Sequence, residues 1–157
     1  MNKGIKIAVW VVICLVVGYV SSMYTRSSIT TWYPTLEKPF FNPPNWIFAP
    51  VWTLLYILMG VSAGLIWDKI ASQKELVKKG LLLFSIQLIL NAFWSILFFG
   101  WNNILLSLIE IILLFLFIFE TYLTFKKLDK TASLLLLPYM AWVLFASILT
   151  ASIYFLN

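Results

Sequence analysis

The chain of 157 residues contains no histidine and a single cysteine, Cys14. Without histidine it lacks the commonest metal ligand, the usual general base near neutral pH and the proximal ligand of many haem proteins. With one cysteine, no intrachain disulfide can form. Charge is scarce too, at 11% of residues, whereas 62% are hydrophobic; soluble domains average about 45–50% apolar and about 25% charged. No nucleophile, metal cluster or acid–base pair stands out among what remains, so this reading calls for no cofactor and no metal.

What the chain has instead is long apolar runs. Stretches free of charge extend from Ile7 to Thr25, Pro39 to Trp67, Gly80 to Ile109 and Thr131 to Asn157, each near or above the ~20 residues that cross a bilayer as a helix. They nearly fill the sequence, which implies one integral membrane domain over residues 1–157. The rival reading of the first run is a signal peptide, since Lys3 and Lys6 precede it. Its apolar core, Ile7 to Val20, is long for such a peptide, and the following "SSMYTR" offers no A-x-A-like cleavage site, so a retained helix is expected.

Gly80 to Phe125 is too long for one crossing, and "GWNN" at Gly100 to Asn103 breaks it. The fold class is therefore an all-α bundle of five transmembrane helices, placed near 5–24, 45–67, 79–99, 103–125 and 132–156. The runs lack the period-2 alternation of a membrane barrel. Nine lysines (Lys3, Lys6, Lys69, Lys74, Lys78, Lys79, Lys126, Lys127 and Lys130) fall on the N-terminal side, against Arg26 and Lys38 on the other. The excess of basic residues in short loops puts the N-terminus in the cytoplasm and the C-terminus outside. The +5 net charge thus needs no nucleic acid, because these lysines face anionic lipid.

Four of the six prolines crowd into "LEKPFFNPPNWIFAPVWTLLY", Leu36 to Tyr56. Pro39, Pro43 and Pro44 stiffen the longest connection, about 25–44, on the outer side. Pro50 falls near the first turn of helix 2, where a missing N–H costs least. Trp32, Trp46 and Trp101 fit an aromatic belt at the membrane interface. A belt does not require a proline-stiffened loop, whereas a lid over a cavity does.

Counting inward at 1.5 Å per residue puts Trp52, Asn91 and Glu110 roughly 10–12 Å below the outer interface, on three helices. Ala146 lies near the same level, with Trp142 one turn deeper. An intramembrane glutamate is costly against lipid, so Glu110 is expected to point inward; Asn91 reads either as a ligand group or as interhelical glue. Glu120, near the cytoplasmic end, can snorkel or meet Lys126 or Lys127. Trp52, Tyr56, Met59 and Ala63 share one helix face. A flat apolar ligand fits between Trp52 and Trp142, with Asn91 or Glu110 serving a polar edge. Gly60-x-x-x-Gly64 permits close helix contact, either within one protomer or between protomers of a homodimer.

At these residues the sequence resembles the TspO/MBR family, the tryptophan-rich sensory proteins and mitochondrial translocator proteins also known as peripheral-type benzodiazepine receptors. The resemblance rests on "TWYPTLEKPFFNPP", "APVWTLLYILMG", "QLILNAFWSILFFGW" and "LLLPYMAWVLFASILTASIYFLN", in order along the whole chain. It implies a five-helix fold with a pocket near the first loop that takes porphyrins and other flat lipophilic ligands. Tyr33, Pro43, Trp52, Asn91, Trp142 and Ala146 match pocket positions, and the residue reading adds Phe48, Tyr56 and Glu110 as ligand-binding candidates. The resemblance further implies light-dependent protoporphyrin degradation as an accessible activity, with Trp52 and Trp142 as its catalytic candidates. Animal members end in a cholesterol pattern of Leu/Val, Tyr and a basic residue; here Leu149 and Tyr154 are followed only by "FLN", so sterol handling is not implied. The expected partners are a porphyrin or similar small molecule and membrane lipid, in a bacterial cell membrane. The expected role is receptor or sensor, with transport of porphyrin or sterol-like lipid as the alternative; against transport, no inverted repeat or broken helix pair is visible.

Overall fold

The computed structural model describes every residue from Met1 to Asn157, and it is helical with no strands. Five segments are long and apolar enough to cross a membrane: Lys3–Ser28, Asn45–Trp67, Lys74–Gly100, Ile104–Lys126 and Lys130–Leu156. The first is helix α1, Lys3–Ser28. A single 3-10 turn, Asn45–Ile47, leads into α2, Phe48–Trp67, which places Pro50 in the first turn of that helix. Helix α3, Lys74–Ser95, continues through a π-helical turn, Ile96–Gly100. Helix α4 spans Ile104–Lys126, and the last crossing is divided into α5, Lys130–Leu135, and α6, Leu137–Leu156.

Three boundaries differ from the sequence expectation, each for a local reason. Helix α1 runs to Ser28 instead of stopping near Tyr24, so the connection to α2 is shorter than the expected 25–44. The hydroxyls of Ser21, Ser22 and Ser27 donate to carbonyls three or four residues back, which lets polar residues continue the helix. Helix α3 begins at Lys74, not Lys79. Lys and Glu are good helix formers, so the helix outlasts the apolar run that marks the membrane. The last crossing breaks at Leu136, two residues before Pro138, whose nitrogen can donate no helical hydrogen bond.

The "GWNN" break has a defined geometry. Trp101 N–H donates to the Ile96 carbonyl at 2.8 Å, closing the wide turn. Asn102 then takes a positive φ of 53°, a conformation that asparagine tolerates better than most residues. Asn103 caps α4, its side chain accepting from Leu106 N–H at 3.0 Å. Asn2 and Asp129 cap α1 and α5 in the same way.

Helix α1 packs against α2 and α3, and α4 packs against α3 and α6, while α5 closes on α2 at the lysine-rich end. Lipid removes the usual hydrophobic drive for helix association, so close packing and interhelical hydrogen bonds carry it. The tightest backbone approach is at Gly60 and Gly64, where an added Cβ would lie 2.4 Å from the Cα of Val11 and of Ile7. The Gly60-x-x-x-Gly64 motif is therefore filled by α1 of the same protomer and offers no face to a second copy. Below mid-membrane the bundle is filled by Met59, Ala63, Ile66, Phe84, Ile118 and Phe125, with the Phe84 and Phe125 rings stacked at 6.0 Å. At the lysine-rich end Lys6 and Asp68 make the chain's single ion pair, at 3.5 Å. Glu120 is exposed and pairs with neither Lys126 nor Lys127.

Candidate functional site

The opposite half of the bundle is not filled. A cavity of about 630 Å³ lies among α1, α2, α3, α4 and α6 beneath the connection from Ile29 to Pro44. Most of its lining is apolar, 19 of 29 residues, and its size falls within the roughly 300–1,000 Å³ of small-molecule sites. Tyr33, Phe48, Trp52, Tyr56, Asn91, Trp142 and Ala146 all line it. Two candidates do not. Pro43 is half-buried in the connecting loop and stays outside the lining, where it shapes the chain path without facing the cavity. Glu110 is only 7% exposed, with both carboxyl oxygens lacking a hydrogen-bond partner. It points into the protein but not into the cavity, which α4 lines through Ile111 and Leu114 instead.

The aromatic stripe of α2 is split by depth. Trp52 and Tyr56 form cavity wall, their rings 5.6 Å apart and inclined at 32°. Met59 and Ala63, deeper on the same face, are fully buried and serve packing. Trp142 lies against Phe145 at 5.4 Å and Phe48 at 6.5 Å.

The cavity floor is a chain of buried hydrogen bonds. Tyr56 O–H donates to Asn91 Oδ1 at 2.6 Å, Asn91 Nδ2 donates to the Tyr139 hydroxyl at 2.8 Å, and Tyr139 O–H donates to Gln87 Oε1 at 2.6 Å. The two readings of Asn91 thus coincide: it ties α2, α3 and α6 together and also faces the cavity. Gln87 and Tyr139 were not singled out in the sequence, although Gln87 lies one helical turn before Asn91. Trp94 and Phe98 were missed as well. They follow Asn91 at helical spacing, line the cavity and stack on each other at 4.9 Å. The Trp94 indole N–H is buried without a partner in the protein.

The roof is anchored chiefly by Tyr33, 3% exposed and wedged against Phe98 and Phe99. Its hydroxyl donates to Asn42 Oδ1 at 2.9 Å, which pins the two arms of the loop together. Burial pushes the Tyr33 phenol above its ordinary value of 10.0. Lys38 Nζ donates to the carbonyls of Tyr33 and Leu36 at 3.0 and 2.9 Å. Asn157 adds a strap from the end of α6: its Nδ2 donates to the Glu37 carbonyl at 2.9 Å and its Oδ1 accepts from Glu37 N–H at 3.2 Å.

These features define a polytopic membrane protein of five helices with an aromatic cavity under its longest loop. The chain belongs to the TspO/MBR family, whose model matches residues 10–156. It is 45% identical to the "Tryptophan-rich protein TspO" of Chlorobaculum tepidum, over 100% of this chain and 99% of that one. A protein of the same name from Archaeoglobus fulgidus is 44% identical, over 98% and 97% of the two chains. The "Translocator protein" of Bos taurus is 36% identical, over 84% of this chain and 78% of its own.

Proposed function

We propose that the protein is a membrane receptor or sensor that binds protoporphyrin-type tetrapyrroles, or other flat lipophilic molecules, in the cavity under the first loop. The observation that carries this reading is an apolar space of about 630 Å³ walled by aromatic rings and closed by a loop held at several points. Aromatic faces favour offset or edgewise contact with a flat ring, and Asn91, whose Nδ2 keeps one N–H beyond its bond to Tyr139, offers a polar contact to orient it. Family membership agrees with a sensing or a transporting role; the bundle lacks the paired broken helices associated with alternating access, which favours sensing. The lysine-rich end faces the cytoplasm in this reading, so the cavity opens toward the outer side. Titration of purified protein with protoporphyrin in the dark tests it: saturable quenching of tryptophan fluorescence is expected, and its absence refutes the reading.

A second reading, light- and oxygen-dependent breakdown of the bound porphyrin, is favoured by Trp52 and Trp142 both lining the cavity. An indole there would give an electron to the photoexcited ring, with dioxygen as the final oxidant. Trp142→Phe keeps an apolar ring but is harder to oxidise, so porphyrin loss under light should fall while dark binding persists. Unchanged loss would remove Trp142 from the chemistry.

A further inference from the structure

The cavity lining contains one charged residue, Arg26, in the last turn of α1. Its guanidinium stands 5.4 Å from the Tyr19 ring centre, a cation–π contact with another lining residue. It forms no ion pair, since the only one in the chain joins Lys6 and Asp68 at the far end. The one other cation on this side, Lys38, already spends its ammonium on two loop carbonyls. Arg26 is thus an uncommitted cation beside an apolar cavity. Around it the wall turns polar, through Ser22, Thr25, Thr30 and Asn45, whereas the floor is closed by hydrogen bonds already made within the protein.

A site with an aromatic interior and a single cation at its edge matches an anionic amphiphile better than a neutral one. We propose that Arg26 recognises the anionic edge of the ligand, so that the cavity selects flat apolar molecules carrying a carboxylate. The inference rests on the binding reading above and names its ligand class. A guanidinium matches a carboxylate through two parallel N–H donors, a geometry that an amide does not reproduce. The same cation could instead hold a lipid phosphate, because α1 is largely exposed to the bilayer and Arg26 is exposed. The two sources separate by experiment.

The test compares protoporphyrin with its dimethyl ester, which has the same ring and no carboxylate, on wild type and Arg26→Gln in uncharged detergent. The wild type is expected to bind the diacid more tightly than the ester. In Arg26→Gln the diacid should bind roughly tenfold more weakly, as expected for a charged hydrogen-bonded contact, while the ester is unaffected. Retained ester binding also shows that the variant is folded. Equal weakening of both compounds, or no change in either, overturns the role of Arg26. In bilayers of phosphatidylcholine with and without phosphatidylglycerol, the diacid preference should persist in both. If Arg26→Gln changes only retention of phosphatidylglycerol and leaves that preference intact, the cation serves lipid and the inference fails. Failure of the wild type to bind either compound refutes the binding reading itself.

Discussion

Replacing Gly60 by alanine sets two opposed effects against each other. Alanine is the better helix former by about 1 kcal/mol, which alone would stabilise α2. The new Cβ, however, would lie 2.4 Å from Val11 Cα and 2.6 Å from Val11 N. These are backbone atoms and cannot swing aside, so α1 and α2 must separate by about one ångström to reach ordinary contact. Overpacking of this kind costs about 1–3 kcal/mol, and here it also loosens the adjoining Gly64–Ile7 contact, so against the propensity gain a net loss of about 1–2 kcal/mol is expected. Gly4→Ala is the internal control, because its nearest neighbour would be the Asn2 side chain at 3.5 Å; it should be neutral or slightly stabilising. Reversible unfolding in mixed micelles, followed by far-ultraviolet circular dichroism, measures all three proteins. Gly60→Ala as stable as wild type would refute the close α1–α2 contact.

Other perturbations probe the floor and the roof. Asn91→Leu removes the partner of Tyr56 and the donor to Tyr139; at about 0.6–1.7 kcal/mol per interhelical bond, it should cost about 1–3 kcal/mol of stability in the same unfolding assay. Tyr33 should ionise late. Its raised folded pKa means that its contribution to stability is complete below the ordinary 10.0 and is lost as pH rises through the folded value; tyrosinate absorbance of wild type minus Tyr33→Phe should show this high transition. Asn157→Ala removes the strap to Glu37 and should raise the off-rate of bound porphyrin in stopped-flow displacement with little change in overall stability, since the contact is exposed.

The crossings were legible because spanning a bilayer depends on a run of apolar residues, a property that can be counted along one dimension. Where the outcome depended on something else, the counting failed. Lys74 to Lys79 are charged and yet helical, because a helix does not end where the membrane does. Counting depth was useful too: Trp52, Asn91 and Ala146, counted to nearly one level, line one cavity. Depth carries no information about direction around a helix, however, and Glu110, counted to the same level, does not line the cavity. A finer use of periodicity would have found Trp94 and Phe98 from Asn91, and Gln87 one turn earlier. The roof was read from its prolines, yet the contacts that hold it come from Tyr33, Asn42, Lys38 and Asn157. Those join residues as far apart as Glu37 and Asn157, and no local pattern reports such a pairing. Arg26 was not read as a cavity residue, since its place beside the cavity depends on α1 continuing past Tyr24.

The most direct test of the account fills the cavity and measures binding. Ala146 lines it, and Ala146→Phe would push a ring into the space between Trp142 and the floor while adding no charge. The account predicts saturable quenching of tryptophan fluorescence by protoporphyrin in the wild type. In Ala146→Phe, shown to be folded by its circular dichroism and melting, that saturable quenching should be lost. A folded Ala146→Phe protein that binds protoporphyrin as tightly as wild type would place the ligand elsewhere and contradict the central claim.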